Sequence, residues 1–195
     1  PGTLASIADL LPPGLGVILS IGTAGKGINA DYAVRQAILL GADAPKIFLP
    51  VGTDEEGEAL SETFELCQRA SLQGLPVMVE VYPVGDKYSP EVISKYTRIV
   101  GEMGTSIVKT FYTGSPETFR KVTSSSLVPV VVLGGPRVED TLGLLRMVSD
   151  SLKAGGSGVA FGRNIWQSDD PRRMIRSLKL IIHDGKSPEE VMRVE

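Results

Sequence analysis

The sequence holds one cysteine, one histidine and one tryptophan in 195 residues. A lone Cys67 cannot form an internal disulfide, and the expected compartment is the cytoplasm. A lone His183, late in the chain, argues against a Ser/His/Asp triad and against a His-rich metal centre. No apolar run approaches the ~18 residues that a membrane helix needs. The best candidate, residues 129–133, is far too short. No basic segment followed by an apolar one opens the chain, so no signal peptide is expected. Neither sign of charge is concentrated: 20 Lys and Arg stand against 23 Asp and Glu, for a net charge of −3. No basic surface for a polyanion is implied, so neither nucleic acid nor membrane is an expected partner. What is present, 42% hydrophobic and 22% charged residues, is ordinary for a globular protein and enough for one sizeable core.

Short β-branched runs recur through the chain. They lie at residues 16–21 (GVILSI), 46–50 (KIFLP), 77–82 (VMVEVY), 106–109 (SIVK), 129–133 (PVVVL) and 158–161 (GVAF). Each reads as a short buried strand. Stretches with helical spacing follow. One face carries Tyr32, Ala33, Gln36, Ala37 and Leu40, and the next Leu60, Phe64, Cys67 and Leu72. Ile93, Tyr96, Ile99, Val100 and Met103 mark a third. Leu142, Leu145, Met147, Val148 and Leu152 mark a fourth, and Met174, Leu178, Ile181 and Ile182 a fifth. Ser89-Pro90, Ser115-Pro116 and Asp170-Pro171 place a cap residue before proline at helix starts. Gly41, Gly74, Gly104 and Gly155 sit where helices should end.

Strand–helix units of this size build parallel sheets. Their regular spacing favours an α/β fold of the closed (β/α)8 or TIM-barrel type, for which ~250 residues are usual. About six of eight units are accounted for, and residues 3–11 read as the helix of a preceding unit. The opening Pro1-Gly2-Thr3 is not an initiation sequence. The expectation is a single barrel domain over residues 1–195, N-terminally truncated and lacking strands 1 and 2.

In such a barrel, chemistry sits at the C-terminal ends of the strands. Lys109 ends the fourth recognisable strand. Desolvation at an apolar barrel mouth disfavours an ammonium, and a neutral amine can attack a carbonyl to form an imine. The same position also suits a lysine that simply reaches solvent. Tyr82 ends the preceding strand, ~4.8 Å away, where a phenol could move a proton or serve as a rim aromatic. Glu80 shares strand parity with Tyr82. If both face inward, Glu80 needs a cation, either Lys109 or Lys46; in a shifted register it would be solvated. Gly134 and Gly135 close the fifth strand, and Gly162 and Arg163 the sixth. With two units missing, these are the seventh and eighth strands, whose loops frequently hold phosphate in this fold. Glycines admit phosphate oxygens to backbone N–H groups, and Arg163 adds charge. Ordinary turns use the same glycines. The acidic Asp54 to Glu58 segment reads as dipole complementation at a helix start rather than a metal site. Gly25-Lys26-Gly27 lacks the full phosphate-loop pattern.

Four stretches resemble the archaeal-type class I fructose-bisphosphate aldolases: residues 107–114 (IVKTFYTG), 79–83 (VEVYP), 130–136 (VVVLGGP) and 158–167 (GVAFGRNIWQ). Relatives of that family, within the deoxyribose-phosphate-aldolase-like superfamily, include aminodideoxyheptulosonate synthases and phospho-autoinducer thiolases. The resemblance implies a Schiff-base lyase with Lys109 as the imine lysine and Tyr82 as general acid/base. Gly134, Gly135, Gly162 and Arg163 would hold a phosphate of a sugar substrate. It also implies a homo-oligomer, and chemistry that needs no cofactor and no metal. The chain departs from the family at several places. The family's first-strand aspartate has no counterpart here. Val84 replaces a common arginine, Glu80 a frequent tryptophan, and Leu133 a frequent serine. Three functions follow as expectations. One is an aldolase cleaving a phosphorylated ketose. The second is a transaldolase-type synthase of the 2-amino-3,7-dideoxy-D-threo-hept-6-ulosonate kind, or a phospho-autoinducer thiolase. The third is a non-catalytic sugar-phosphate-binding subunit.

Overall fold

A computed structural model describes residues 1–85 and 89–194. Six strands form one parallel sheet in chain order: β1 (Ile18–Thr23), β2 (Ala44–Val51), β3 (Met78–Pro83), β4 (Ile107–Thr110), β5 (Val130–Leu133) and β6 (Gly158–Ala160). A short helix α1 (Gly2–Ile7) precedes β1. The crossovers are α2 (Ala30–Leu39), α3 (Glu56–Ser71), α4 (Pro90–Glu102), α5 (Pro116–Ser125) and α6 (Thr141–Lys153). After β6 come α7 (Arg163–Trp166), α8 (Pro171–Ile182) and α9 (Pro188–Val194). This is the α/β architecture of a partial TIM barrel, with sequential strands neighbouring one another throughout.

Local chemistry explains the element boundaries. Ser89, Ser115 and Asp170 each accept the backbone N–H three residues on, with proline at the helix start behind them. Asn29 and Asp140 cap α2 and α6 in the same way. Gly41, Gly74, Gly104 and Gly155 all take positive φ just past helix ends, where a side chain would be strained.

Strand parity divides the sheet into two faces. Ile47, Leu49, Val51, Val79, Val81, Val108, Val130 and Val132 lie under the helices, none more than 2% exposed. They meet Leu66, Cys67 and Ala70 of α3, Ile93, Tyr96 and Val100 of α4, and Phe119 and Val122 of α5. Each such aliphatic burial contributes roughly 1.5–3 kcal/mol. The alternate residues, including Lys46, Phe48, Glu80, Tyr82 and Lys109, point to the other face. Smaller clusters join α6, α8 and α9 through Leu145, Val148, Leu178 and Val191, and α1 to β1 and α2 through Leu4, Leu19 and Ala37.

Some helix faces differ from expectation. On α3 the buried stripe is Ala59, Thr63, Leu66, Cys67 and Ala70, while Phe64 and Leu72 are exposed. Cys67 and, in part, Leu60 face the core as expected, and small side chains take the places that the bulk of Phe64 and Leu72 suggested for them. Tyr32 is likewise exposed, and Ala30, Ala33, Val34 and Ala37 carry the α2 contact. In α5 only the start was legible, because its ten residues bury just Phe119 and Val122. Among the described residues, no helix is long and apolar enough to cross a membrane.

Candidate active site

The sheet register brings three charged side chains of successive strands onto one face. Glu80 of β3 is the direct neighbour of Lys109 on β4 and of Phe48 on β2, two residues beyond Lys46. The Lys109 ammonium donates to Glu80 Oε1 at 2.9 Å, and the Lys46 ammonium to Oε2 at 2.5 Å. The Glu80 side chain is only 9% exposed, and those of Lys46 and Lys109 15% and 18%. Burial by itself would raise the Glu80 carboxyl. The hydrogen bonds and charges of the two lysines outweigh it and hold the carboxyl below the usual range. The in-facing alternative for Glu80 is therefore the one the structure has, with both candidate cations bound to it.

Tyr82 sits two residues along β3, toward the C-terminal end of the sheet. Its ring is flanked by Phe48, with centroids 5.0 Å apart, and by Phe111, at 4.8 Å. The tilted packing fixes the ring plane. Lys46 also lies 5.7 Å from the Phe48 ring centroid. Lys109 and Tyr82 thus share one wall, aromatic above and ionic below.

Gly134 and Gly135 follow β5, and Gly162 and Arg163 follow β6, so they continue the row of strand ends begun by Tyr82 and Lys109. A Cβ on Gly134 would stand 2.8 Å from the Phe161 ring, so the two loops touch there. Gly135 takes φ +62°, and the Trp166 ring lies against Gly162. Asn164 locks the pair of loops together. Its amide nitrogen donates to the carbonyls of Gly134 at 2.6 Å and Pro136 at 3.1 Å, and its oxygen accepts the Val138 N–H at 2.9 Å. Arg163 is exposed at the start of α7. Asn164 has a role that sequence reasoning missed. Its one signal was a polar residue inside the motif 158–167 that nothing else explained.

Two other segments resolve differently. The glycine loop after β1 is occupied from within: Glu62 of α3 accepts the N–H groups of Gly25, Gly27 and Ile28 at 2.7, 2.8 and 3.2 Å. A carboxylate of the chain itself fills the anion-binding geometry of that loop. The acidic segment at the start of α3 does more than complement a dipole. Glu56 accepts the Gly52 N–H and the Tyr96 hydroxyl, both at 2.6 Å, and burial together with Glu56 pushes that phenol up to about 12. Cys67 is buried in the core, and burial pushes its thiol up to about 12, which leaves it unsuited to nucleophilic work. His183 caps the C-terminal end of α8, away from the strand ends.

Comparison with known proteins adds to this geometry. The sequence profile of the DeoC/LacD family aldolases matches residues 19–168. An uncharacterized aldolase of Saccharolobus solfataricus is 36% identical over 172 residues, covering 84% of this chain and 63% of the relative. A 2-amino-4,5-dihydroxy-6-oxo-7-(phosphonooxy)heptanoate synthase of Streptomyces griseus is 32% identical over 164 residues, 80% of this chain and 60% of that protein. The chain thus spans about 60% of the length of these curated relatives. Among solved structures, an archaeal fructose 1,6-bisphosphate aldolase superposes with a TM-score of 0.80 at 30% identity, covering 92% of this chain and 76% of the other. A second archaeal fructose-1,6-bisphosphate aldolase has its catalytic lysine covalently bound to the carbinolamine intermediate of the substrate. It superposes with a TM-score of 0.73 at 32% identity, covering 77% and 62%. With a family profile spanning β1 through the loops after β6, the chain belongs to the DeoC/LacD family of aldolases.

Proposed function

We propose that the protein is a class I aldolase that makes and breaks a C–C bond of a phosphorylated ketose through an imine on Lys109. The observation that carries the reading is the little-exposed Lys109 ammonium on the sheet face that carries Glu80 and Tyr82, in line with two glycine loops at neighbouring strand ends. In this mechanism Lys109 Nζ attacks the ketose carbonyl, and the imine accepts the electron pair of the breaking bond. Tyr82 takes the proton of the hydroxyl from which the aldehyde forms. N–H groups around Gly134, Gly135 and Gly162, with the Arg163 guanidinium, hold the phosphate. The covalent carbinolamine of the archaeal aldolase above supports lysine chemistry on this fold.

The six strand–helix units belong, on this reading, to one domain. A synthase that passes the same imine-bound fragment to an amino aldehyde is the second reading, favoured by the match to the Streptomyces griseus enzyme. Borohydride reduction in the presence of dihydroxyacetone phosphate is expected to add mass at Lys109. Lys109→Met is expected to abolish both that adduct and cleavage of fructose 1,6-bisphosphate. Full activity in that variant overturns the imine reading. Product analysis with an amino aldehyde beside glyceraldehyde 3-phosphate separates the two acceptors.

A further inference from the structure

The loop after β5 carries two glycines in succession, Gly134 and Gly135. The peptide between them has no side chain on either flank, so sterics alone leave its plane free to turn over. An anion needs the N–H side of such a peptide, not the carbonyl side. Something has to fix the plane, and Asn164 does. Its side chain is buried, with the residue 2% exposed. Its amide nitrogen donates to the carbonyls of Gly134 at 2.6 Å and Pro136 at 3.1 Å, and its oxygen accepts the Val138 N–H at 2.9 Å. Two carbonyls at one end and an N–H at the other settle which end of the amide is the nitrogen. A trans peptide sets its C=O and the following N–H on opposite sides, and the chain has no cis bond. With the Gly134 carbonyl drawn to Asn164, the Gly135 N–H therefore points away from it. Among the described residues no acceptor meets that N–H. Glycine at 134 permits the approach, since a Cβ there would stand 3.1 Å from the Asn164 amide nitrogen.

We propose that Asn164 is a positioning residue for the substrate phosphate: it holds the Gly134–Gly135 peptide with the N–H toward the phosphate and the carbonyl turned inward. The inference rests on the phosphate role given to the two glycine loops above. Arg163 and Asn164 are consecutive residues of α7. One supplies a cation to the phosphate, and the other orients the facing loop for the same phosphate. A turned-over peptide would present the partial negative charge of the Gly134 oxygen where a donor is needed, so it would repel what the native peptide attracts. A buried apolar side chain of the same size could fill the space between the loops but could not choose between these two orientations. Asn164 thereby favours substrates that carry a phosphate over their unphosphorylated counterparts.

The test is titration with inorganic phosphate followed by amide NMR, which needs no imine. In the wild-type protein the Gly135 amide is expected to shift, while the Val138 amide, bound to Asn164, stays in place. Asn164→Leu keeps the size of the side chain but neither donates nor accepts. It is expected to weaken phosphate binding about tenfold, the size of one hydrogen bond to a charged group. In borohydride trapping, the half-saturating concentration of dihydroxyacetone phosphate is expected to rise by the same factor in this variant, and that of unphosphorylated dihydroxyacetone hardly to move. An equal loss for both ketoses would make Asn164 a merely structural residue and overturn the inference. Wild-type phosphate affinity in Asn164→Leu overturns it too and leaves the phosphate loops standing. A wild-type shift at Val138 without one at Gly135 does the same, and that result needs no variant to fold. A wild-type protein that binds no phosphate overturns the phosphate role of the loops, and this inference with it.

Discussion

Glu80 ties the energetics of the site to pH. Its carboxyl is held below the ordinary range in the folded protein and returns to that range on unfolding. The folded state therefore gains from its ionised form above the ordinary carboxylate range, and the gain is lost as pH falls through the lowered value. Removing the charge leaves two lysines facing each other with little exposure, a loss of about 3 kcal/mol near neutral pH. Denaturant unfolding of wild type and Glu80→Gln should show that difference at pH 7 and a shrinking one as the pH drops below about 4. A gap that stays constant down to pH 2 would assign the loss to packing instead. At this scale the sequence was informative about residue type and parity. Alternation put Glu80 and Tyr82 on one face and left Lys109 and Lys46 as the two cations that Glu80 could meet there. That Glu80 binds both lysines required the register between β2, β3 and β4, which alternation does not fix.

Between elements, carboxylates and one amide do the joining. Glu62 gathers three backbone N–H groups of the loop after β1, and Asn164 binds the loop after β5 to α7. Hydrogen bonds to a charged group contribute about 1.5–3 kcal/mol each when buried and less when water competes, as it does here. Glu62→Ala is therefore expected to cost about 2 kcal/mol. It should speed hydrogen exchange at Gly25, Gly27 and Ile28 while leaving β2 to β5 protected. Equal loss of protection in the central strands would mean that the loop is part of the cooperative core. The glycine content of the β1 loop was visible in the sequence. Its internal occupant was not, since Glu62 lies more than thirty residues away. The same limit applies to α3, whose contact stripe is set by how closely the helix approaches the sheet.

For the molecule as a whole, the order β1 to β6 decides where stability concentrates. Strands β3 and β4 have partners on both sides, with Val79, Val81 and Val108 fully buried beneath α4 and α5. Strands β1 and β6 stand at the two ends of that order. Native-state hydrogen exchange is expected to protect Val79 to Val81 and Val108 most, and Leu19 and Val159 least. Uniform protection across all six strands would show that β1 and β6 are paired on their outer edges in solution, as a closed barrel requires.

The sequence by itself determined the alternation of strand and helix, the capped helix starts, the glycine helix ends and the shared parity of Glu80 and Tyr82. These are consequences of short-range sterics and periodicity, which neighbouring residues settle among themselves. Only the tertiary structure decided that Lys46, Glu80 and Lys109 form one ionic group, that Asn164 fastens two glycine loops together, and that Glu62 occupies a third. Each of those depends on which strand or helix stands beside which, and in what register. Packing across the whole sheet sets that relation.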